Sequence, residues 1–141
     1  MIVIAIVAIL ATVALPAYQQ YIMRAQRAEA RTQLLAAAQF MQSFYAANDR
    51  YDKDRSGKAV RDLIPAGLLR APTLGTAKYQ LNPQIVAADN YDLTVTATSF
   101  TLTMAPVAGT NAAADECGKF SITNTGLRSN SGTMPADICW K

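Results

Sequence analysis

Residues 1–18 read MIVIAIVAILATVALPAY, and residues 24–31, RAQRAEAR, follow almost at once. A bare hydrocarbon opening that runs into a charged helix without a break is foreign to most soluble domains. The first fifteen positions hold no charge and a single hydroxyl, that of Thr12. As a helix rising about 1.5 Å per residue they reach about 22 Å, short of the roughly 30 Å core of a bilayer. That length suits a membrane anchor, a signal-peptide core or a buried core helix. A signal peptide carries basic residues ahead of its apolar run and a small-residue cleavage site behind it. Here the run leads instead into Pro16, aromatic residues and further helical pattern. A core helix with an uncapped start is the awkward alternative.

Ala5, Ala8, Ala11 and Ala14 recur at helical spacing and leave a narrow face along which another helix can approach closely. Pro16 removes one backbone donor and is expected to bend the helix rather than end it, because helical pattern resumes directly. Beyond it, Tyr21, Ala25, Ala28, Thr32 and Leu35 form an apolar stripe, continued by Ala38, Met41 and Tyr45 with Leu34 beside them. Such a stripe suits packing on a sheet. Arg24, Arg27 and Arg31 share another face, either solvated and partly offset by Glu29 or turned to an acidic partner or a phosphate. The helix is expected to fade near Asn48 or Asp49. An element of some 45 residues far exceeds the usual globular length, so half of it must be buried outside its own domain.

Composition narrows the rest. At 141 residues the chain supports one domain with its own core. The net charge of +3 is too small to imply nucleic-acid binding by itself. Histidine is absent, which removes Ser-His-Asp and Cys-His catalysis and any His-ligated zinc site. The two cysteines, Cys117 and Cys139, cannot make a zinc site. A single disulfide is the economical reading, two free buried thiols the other, and a disulfide would place this region in an oxidising compartment. No catalytic, cofactor-binding or metal-binding constellation emerges, and the chain is not expected to be an enzyme.

Downstream, residues 50–78 are punctuated by Gly57, Pro65, Gly67, Pro72 and Gly75 and read as a connecting loop, with a short helix stopped by Pro65. Residues 91–97 (YDLTVTA) and 100–104 (FTLTM) alternate apolar and polar positions and form an antiparallel hairpin around Thr98 and Ser99. Residues 119–123 (KFSIT) supply another strand and 78–81 (KYQL) an edge strand. Tyr45 and Tyr91 read as core. Asp115, Glu116 and Asp137 read as solvated turn acids, since they lack a calcium-ligand spacing. The architecture is therefore α+β: one very long N-terminal helix lays its second half on a small antiparallel sheet, while its first half projects as an apolar rod.

These segments resemble the type IV pilins, and more narrowly the PilE-type pilins. MIVIAIVAILATVALPAYQQYI resembles the pilin N-terminal helix with its bending proline at Pro16. YDLTVTA and FTLTMAP resemble the central hairpin, and CGKFSITNTGLRS with CW at Cys139 and Trp140 resembles the final strand and disulfide-bounded loop. The resemblance covers nearly the whole chain. It implies about six further residues upstream, with a methylated phenylalanine, a glutamate and a removed basic leader, which lengthen the anchor to about 21 residues and let it span a bilayer. It divides the chain into residues 1–23, for membrane and filament core, and a head of residues 24–141. Within the head it expects helix over 24–48, connection over 49–78, sheet over 79–123 and a disulfide loop over 117–139.

The implied function is structural: a pilin that polymerises into a type IV pilus serving adhesion, twitching motility or DNA uptake. Ile2, Ile4, Ala5, Val7, Ala8, Ile9, Ala11 and Leu15 would pack in the filament core, and Arg24, Arg27 and Arg31 are candidate inter-subunit contacts. The partners are further copies of the chain, other pilins and the inner-membrane assembly machinery. The subunit rests in the inner membrane before assembly and then lies on the cell surface, with no cofactor. By the positive-inside rule the three arginines would hold the head in the cytoplasm, whereas the disulfide places it outside; the resemblance sides with the disulfide. A type II secretion pseudopilin is one alternative. A minor pilin that binds DNA or primes assembly is another, with Lys119, Arg128 and Lys141 as candidate outer contacts and a salt-dependent affinity as its mark.

Overall fold

The computed structural model describes residues 2–81 and 95–141, and side chains for all of these except 2, 4–9, 11 and 13. Helix α1 (Ile2–Asn48) runs unbroken through Pro16. The filament-core positions Ile2, Ile4, Ala5, Val7, Ala8, Ile9 and Ala11 lie outside the described side chains. Val3, Leu10 and Leu15 are each more than 60% exposed, so the described part of the apolar rod finds no cover in its own head. Among the described residues no helix is both long and apolar enough to cross a membrane. The helix stops where Asp49 turns left-handed at φ 58°, its amide bonding the Tyr45 carbonyl at 2.7 Å.

The connection carries two 3-10 turns, Val60–Asp62 and Ala66–Leu69, one on either side of Pro65. Among the described residues five short strands follow in sequence order across one antiparallel sheet: β1 (Arg70–Ala71), β2 (Tyr79–Leu81), β3 (Thr101–Pro106), β4 (Phe120–Thr123) and β5 (Arg128–Asn130). The expected edge strand at 78–81 is thus an inner one, covered by β1 through the pairs Arg70–Gln80 and Ala71–Tyr79. The sheet reaches beyond 79–123 at both ends. Of the expected hairpin, Val95 bridges Phe100 and Thr96 bonds Ser99; Tyr91, Leu93 and the rest of 82–94 lie outside the described residues. After β5 a single turn, α2 (Ala136–Cys139), ends the fold.

The core lies between α1 and the sheet. Ala30, Leu34, Ala37, Met41 and Phe44 face Tyr79, Leu81, Phe100, Leu102, Met104 and Phe120, nearly all fully buried. Of the expected stripe Leu34 and Met41 are fully buried here and Leu35 and Ala38 pack partly buried at its edge, while Ala30, Ala37 and Phe44 were not part of it. Tyr21, Ala25, Ala28 and Thr32 are exposed, because at about 100° per residue a step of two positions lands nearly opposite Ala30 and Leu34. Ala30 and Ala37 win the sheet-facing positions because their small side chains let the strands approach, leaving Leu34 and Met41 to fill the gaps. Tyr45, also expected in the core, is 37% exposed and stacks at 4.5 Å on the buried Tyr51 ring. The Tyr51 hydroxyl donates to Gln42 Oε1 at 3.1 Å. Because Gln42 is exposed and water can replace that donor, Tyr51→Phe is expected to cost no more than about 1 kcal/mol in thermal unfolding.

Candidate functional site

Two regions carry chemistry beyond core packing: the junction where the rod enters the head, and the disulfide-bounded loop over β5. At the junction Arg27 grips Asp115. Its Nε lies 2.9 Å from both carboxylate oxygens and its Nη2 lies 2.5 Å from Oδ1. The Tyr79 hydroxyl donates to Oδ2 at 2.6 Å and the Cys117 amide to Oδ1 at 3.0 Å. Asp115 is no solvated turn acid: its side chain is fully buried, with Arg27 17% exposed. The carboxylate accepts a bond from helix, sheet and disulfide loop together, and so ties the three parts of the head.

The electrostatics follow the geometry. Burial alone would push the Asp115 carboxyl up, but Arg27, Tyr79 and the Cys117 amide outweigh it and hold the group below its ordinary range. Burial, together with the adjacent carboxylate, pushes the Tyr79 phenol well up. The hydrogen bond to Asp115 raises Arg27. Arg31 moves the other way, lowered first by burial and then by the charge of Arg27. Its Nη1 donates to the main-chain oxygens of Cys139, at 3.1 Å, and of Lys141. The three arginines of α1 thus separate: Arg27 is spent inside the chain, Arg31 holds main chain, and Arg24 stays exposed.

Cys117 and Cys139 are bonded, closing the loop over β5. Residues 131–134 zip against 116–119: Ser131 N to Lys119 O, Gly132 N to Cys117 O and Met134 N to Glu116 O, at 3.0 to 3.2 Å. The approach is so close that a Cβ on Gly132 would lie 1.8 Å from the Glu116 carbonyl oxygen, which is why no other residue fits. On the outer edge the exposed Arg128 guanidinium sits 5.5 Å from the centre of the Trp140 ring. Trp140 packs edge-on against Phe120 at 5.6 Å, and its indole N–H donates to Ser129 O at 3.1 Å. Lys119 is exposed immediately before β4. Lys141 departs from this pair, lining the cleft at the rod with Arg24 and Arg31. Among the described residues no His, Cys, Asp and Glu group is placed to hold a metal ion.

The residues missed from sequence are Asp115 and Tyr79. The only signal was Asp115 standing two residues before a cysteine, and nothing local announced a partner on β2.

A family model described as type IV minor pilin ComP, DNA uptake sequence receptor, matches residues 16–121, more than half of the chain. No curated protein matches. Among solved structures, the non-core minor pilin PilV of Neisseria meningitidis is similar at 19% identity and a TM-score of 0.52, covering 82% of this chain and 94% of that one. A type IV pilin from Shewanella oneidensis is similar at 22% identity and a TM-score of 0.44, covering 84% and 98%. The PilV likeness bears on the fold alone: a long helix against an antiparallel sheet. The family match extends through the distal part of α1, the Asp115 junction and the first half of β4, and with it the chain belongs to the type IV minor pilin ComP family and is a subunit of a type IV pilus.

Proposed function

We propose that this subunit is held in the inner membrane by the apolar half of α1, passes from there into the filament, and displays a head that binds duplex DNA for uptake. The observation that carries the reading is the match over residues 16–121 to a family described as DNA uptake sequence receptors. The exposed rod supports the first half of it. Leaving Val3, Leu10, Leu15 and their neighbours in water costs about 25 cal/mol per Å² of apolar surface, so the subunit exchanges lipid for other helices without a soluble stage.

For DNA, the outer edge of β5 offers the best-placed cations. Arg128 is exposed and steadied by Trp140, and Lys119 lies one strand inward. The other basic stretch, residues 50–61, is largely self-neutralised: Arg50 pairs with Asp52, Arg55 with Asp49 and Arg61 with Asp62. The test is fluorescence anisotropy of labelled duplex with the full chain in detergent across a salt series. Affinity should fall with salt, and Arg128→Ala should weaken binding and make the log–log slope shallower by about one. No binding to duplex at low salt would overturn the DNA reading. An unchanged slope in Arg128→Ala with Lys119→Ala would move the contact away from β5.

A further inference from the structure

The junction holds a cleft of about 370 Å³ lined by Arg24, Arg27, Arg31, Ile138, Cys139 and Lys141. Of its four cationic side chains Arg27 meets an acidic side chain, the buried Asp115. Arg31 meets main-chain oxygens, and among the described residues neither Arg24 nor Lys141 joins an ion pair. Glu116 shares the adjoining cleft with Arg24 and Arg27, beside Pro16, Gln19, Gln20 and Met23, and its charge reaches Arg27. The lining of this cleft thus carries four cationic side chains and no acidic one, and Arg31 meets the main-chain oxygens of Cys139 and Lys141.

Its position says what the counter-charge is. Tyr18 and Tyr21 are 64% and 69% exposed, at the level where an amphipathic ring suits the boundary between hydrocarbon and water. Arg24 comes one turn above Tyr21, about 4.5 Å higher along the axis. With the apolar rod in a bilayer, Arg24 and Lys141 stand at the height of the lipid phosphates, their stems over hydrocarbon and their charged heads up. We infer that this cleft binds the phosphate of an anionic phospholipid in the leaflet beneath the head, and so seats the head on the membrane until the subunit is drawn into a filament. The site rests on the membrane reading proposed above, and it gives the exposed-side arginines a partner despite their unfavourable sign for orientation.

The test uses the full chain reconstituted in phosphatidylcholine vesicles with and without phosphatidylglycerol, and electron spin resonance of spin-labelled lipids to read which one the protein retains. Wild type should prefer phosphatidylglycerol to phosphatidylcholine by about fivefold or more, the effect of a basic side chain at an anionic surface. Arg24→Gln with Lys141→Gln should lose the preference, and Arg24→Lys should keep it, while near-ultraviolet circular dichroism shows all three heads folded. Equal retention of both lipids by wild type, or an undiminished preference in the double variant, would overturn the inference. So would loss of the preference on adding millimolar inorganic phosphate, which would mark a free-anion site, or on adding duplex DNA, which would mark part of a DNA surface. If the chain fails to float with phosphatidylcholine vesicles at all, the membrane reading itself falls, and the cleft's role in it falls too.

Discussion

Asp115→Ala is expected to destabilise the head by about 3–5 kcal/mol, the cost of breaking a buried ion pair by removing one partner. The carboxylate is fully buried and meets Arg27, the Tyr79 hydroxyl and the Cys117 amide. Without it the phenol and the amide are left unpaired, at about 1–3 kcal/mol for each buried group. Arg27, being 17% exposed, can still turn toward water, which keeps the total within that range. Thermal unfolding of the detergent-solubilised chain, followed in the near ultraviolet through Trp140 against Phe120, is the measurement. A loss below about 1 kcal/mol would mean that the three contacts contribute little. Asp115→Asn separates charge from shape: it keeps the Cys117 bond and loses most of the pairing with Arg27. A cycle with Arg27→Met should show strong coupling, since each variant removes the same contact.

The same carboxylate makes the head acid-sensitive. Its folded value lies below the ordinary 3.8. The unfolded chain therefore binds more protons in that window, and stability rises with pH across it. The contribution is complete above the unfolded value and is lost as pH falls through the folded one. Melting temperature should thus drop on acidification below about pH 4 more steeply in wild type than in Asp115→Asn. Arg27→Gln should lose this acid limb while remaining less stable at neutral pH, because burial, the largest single influence on Asp115, is then no longer outweighed by a cation.

How far the chain could be read in advance depended on how locally each feature is encoded. The long helix, its end at Asn48 and the break at Pro65 were legible, because apolar content, helical spacing and proline chemistry act within a few neighbours. So was the strand core of β3 and β4, where alternation marks the buried face. The helix face was legible only in part: Leu34 and Met41 meet the sheet as expected, but Tyr21, Ala25, Ala28 and Thr32 face water while Ala30 and Ala37 hold the contact, and no propensity distinguishes an alanine that meets a sheet from one that meets water. Strands β1 and β5 span two and three residues, Arg-Ala and Arg-Ser-Asn, too little for a period to register. Asp115 was out of reach for another reason. Its partners lie 88 and 36 residues away, so its meaning exists only once helix, sheet and loop have met.

The second large effect is expected from opening the bond between Cys117 and Cys139. Their separation of 22 residues gives about 3 kcal/mol of restriction on the unfolded chain, and removing such a bridge from a small domain typically costs about 2–5 kcal/mol. Beyond the buried Phe120 and Ile122 of β4 the loop has little else: its apolar Leu127 and Ile138 are 68% and 50% exposed, leaving Met134, with the flanking Trp140, packed on the core. In Cys117→Ser with Cys139→Ser, hydrogen exchange should rise first at the amides of residues 131–134 that zip onto 116–119, and only later in β3 and β4. The bridge and the Asp115 cluster share the Cys117 amide, so their losses should not add. With the loop free, that amide no longer stands fixed beside the carboxylate, and Asp115→Ala in the serine background should cost less than in wild type by 0.5 kcal/mol or more. Strict additivity would show that the loop and the helix junction are held independently. Coupling would show one joint, in which an oxidised loop presents the amide, Asp115 takes it, and Arg27 fixes the emerging rod to the head that the filament displays.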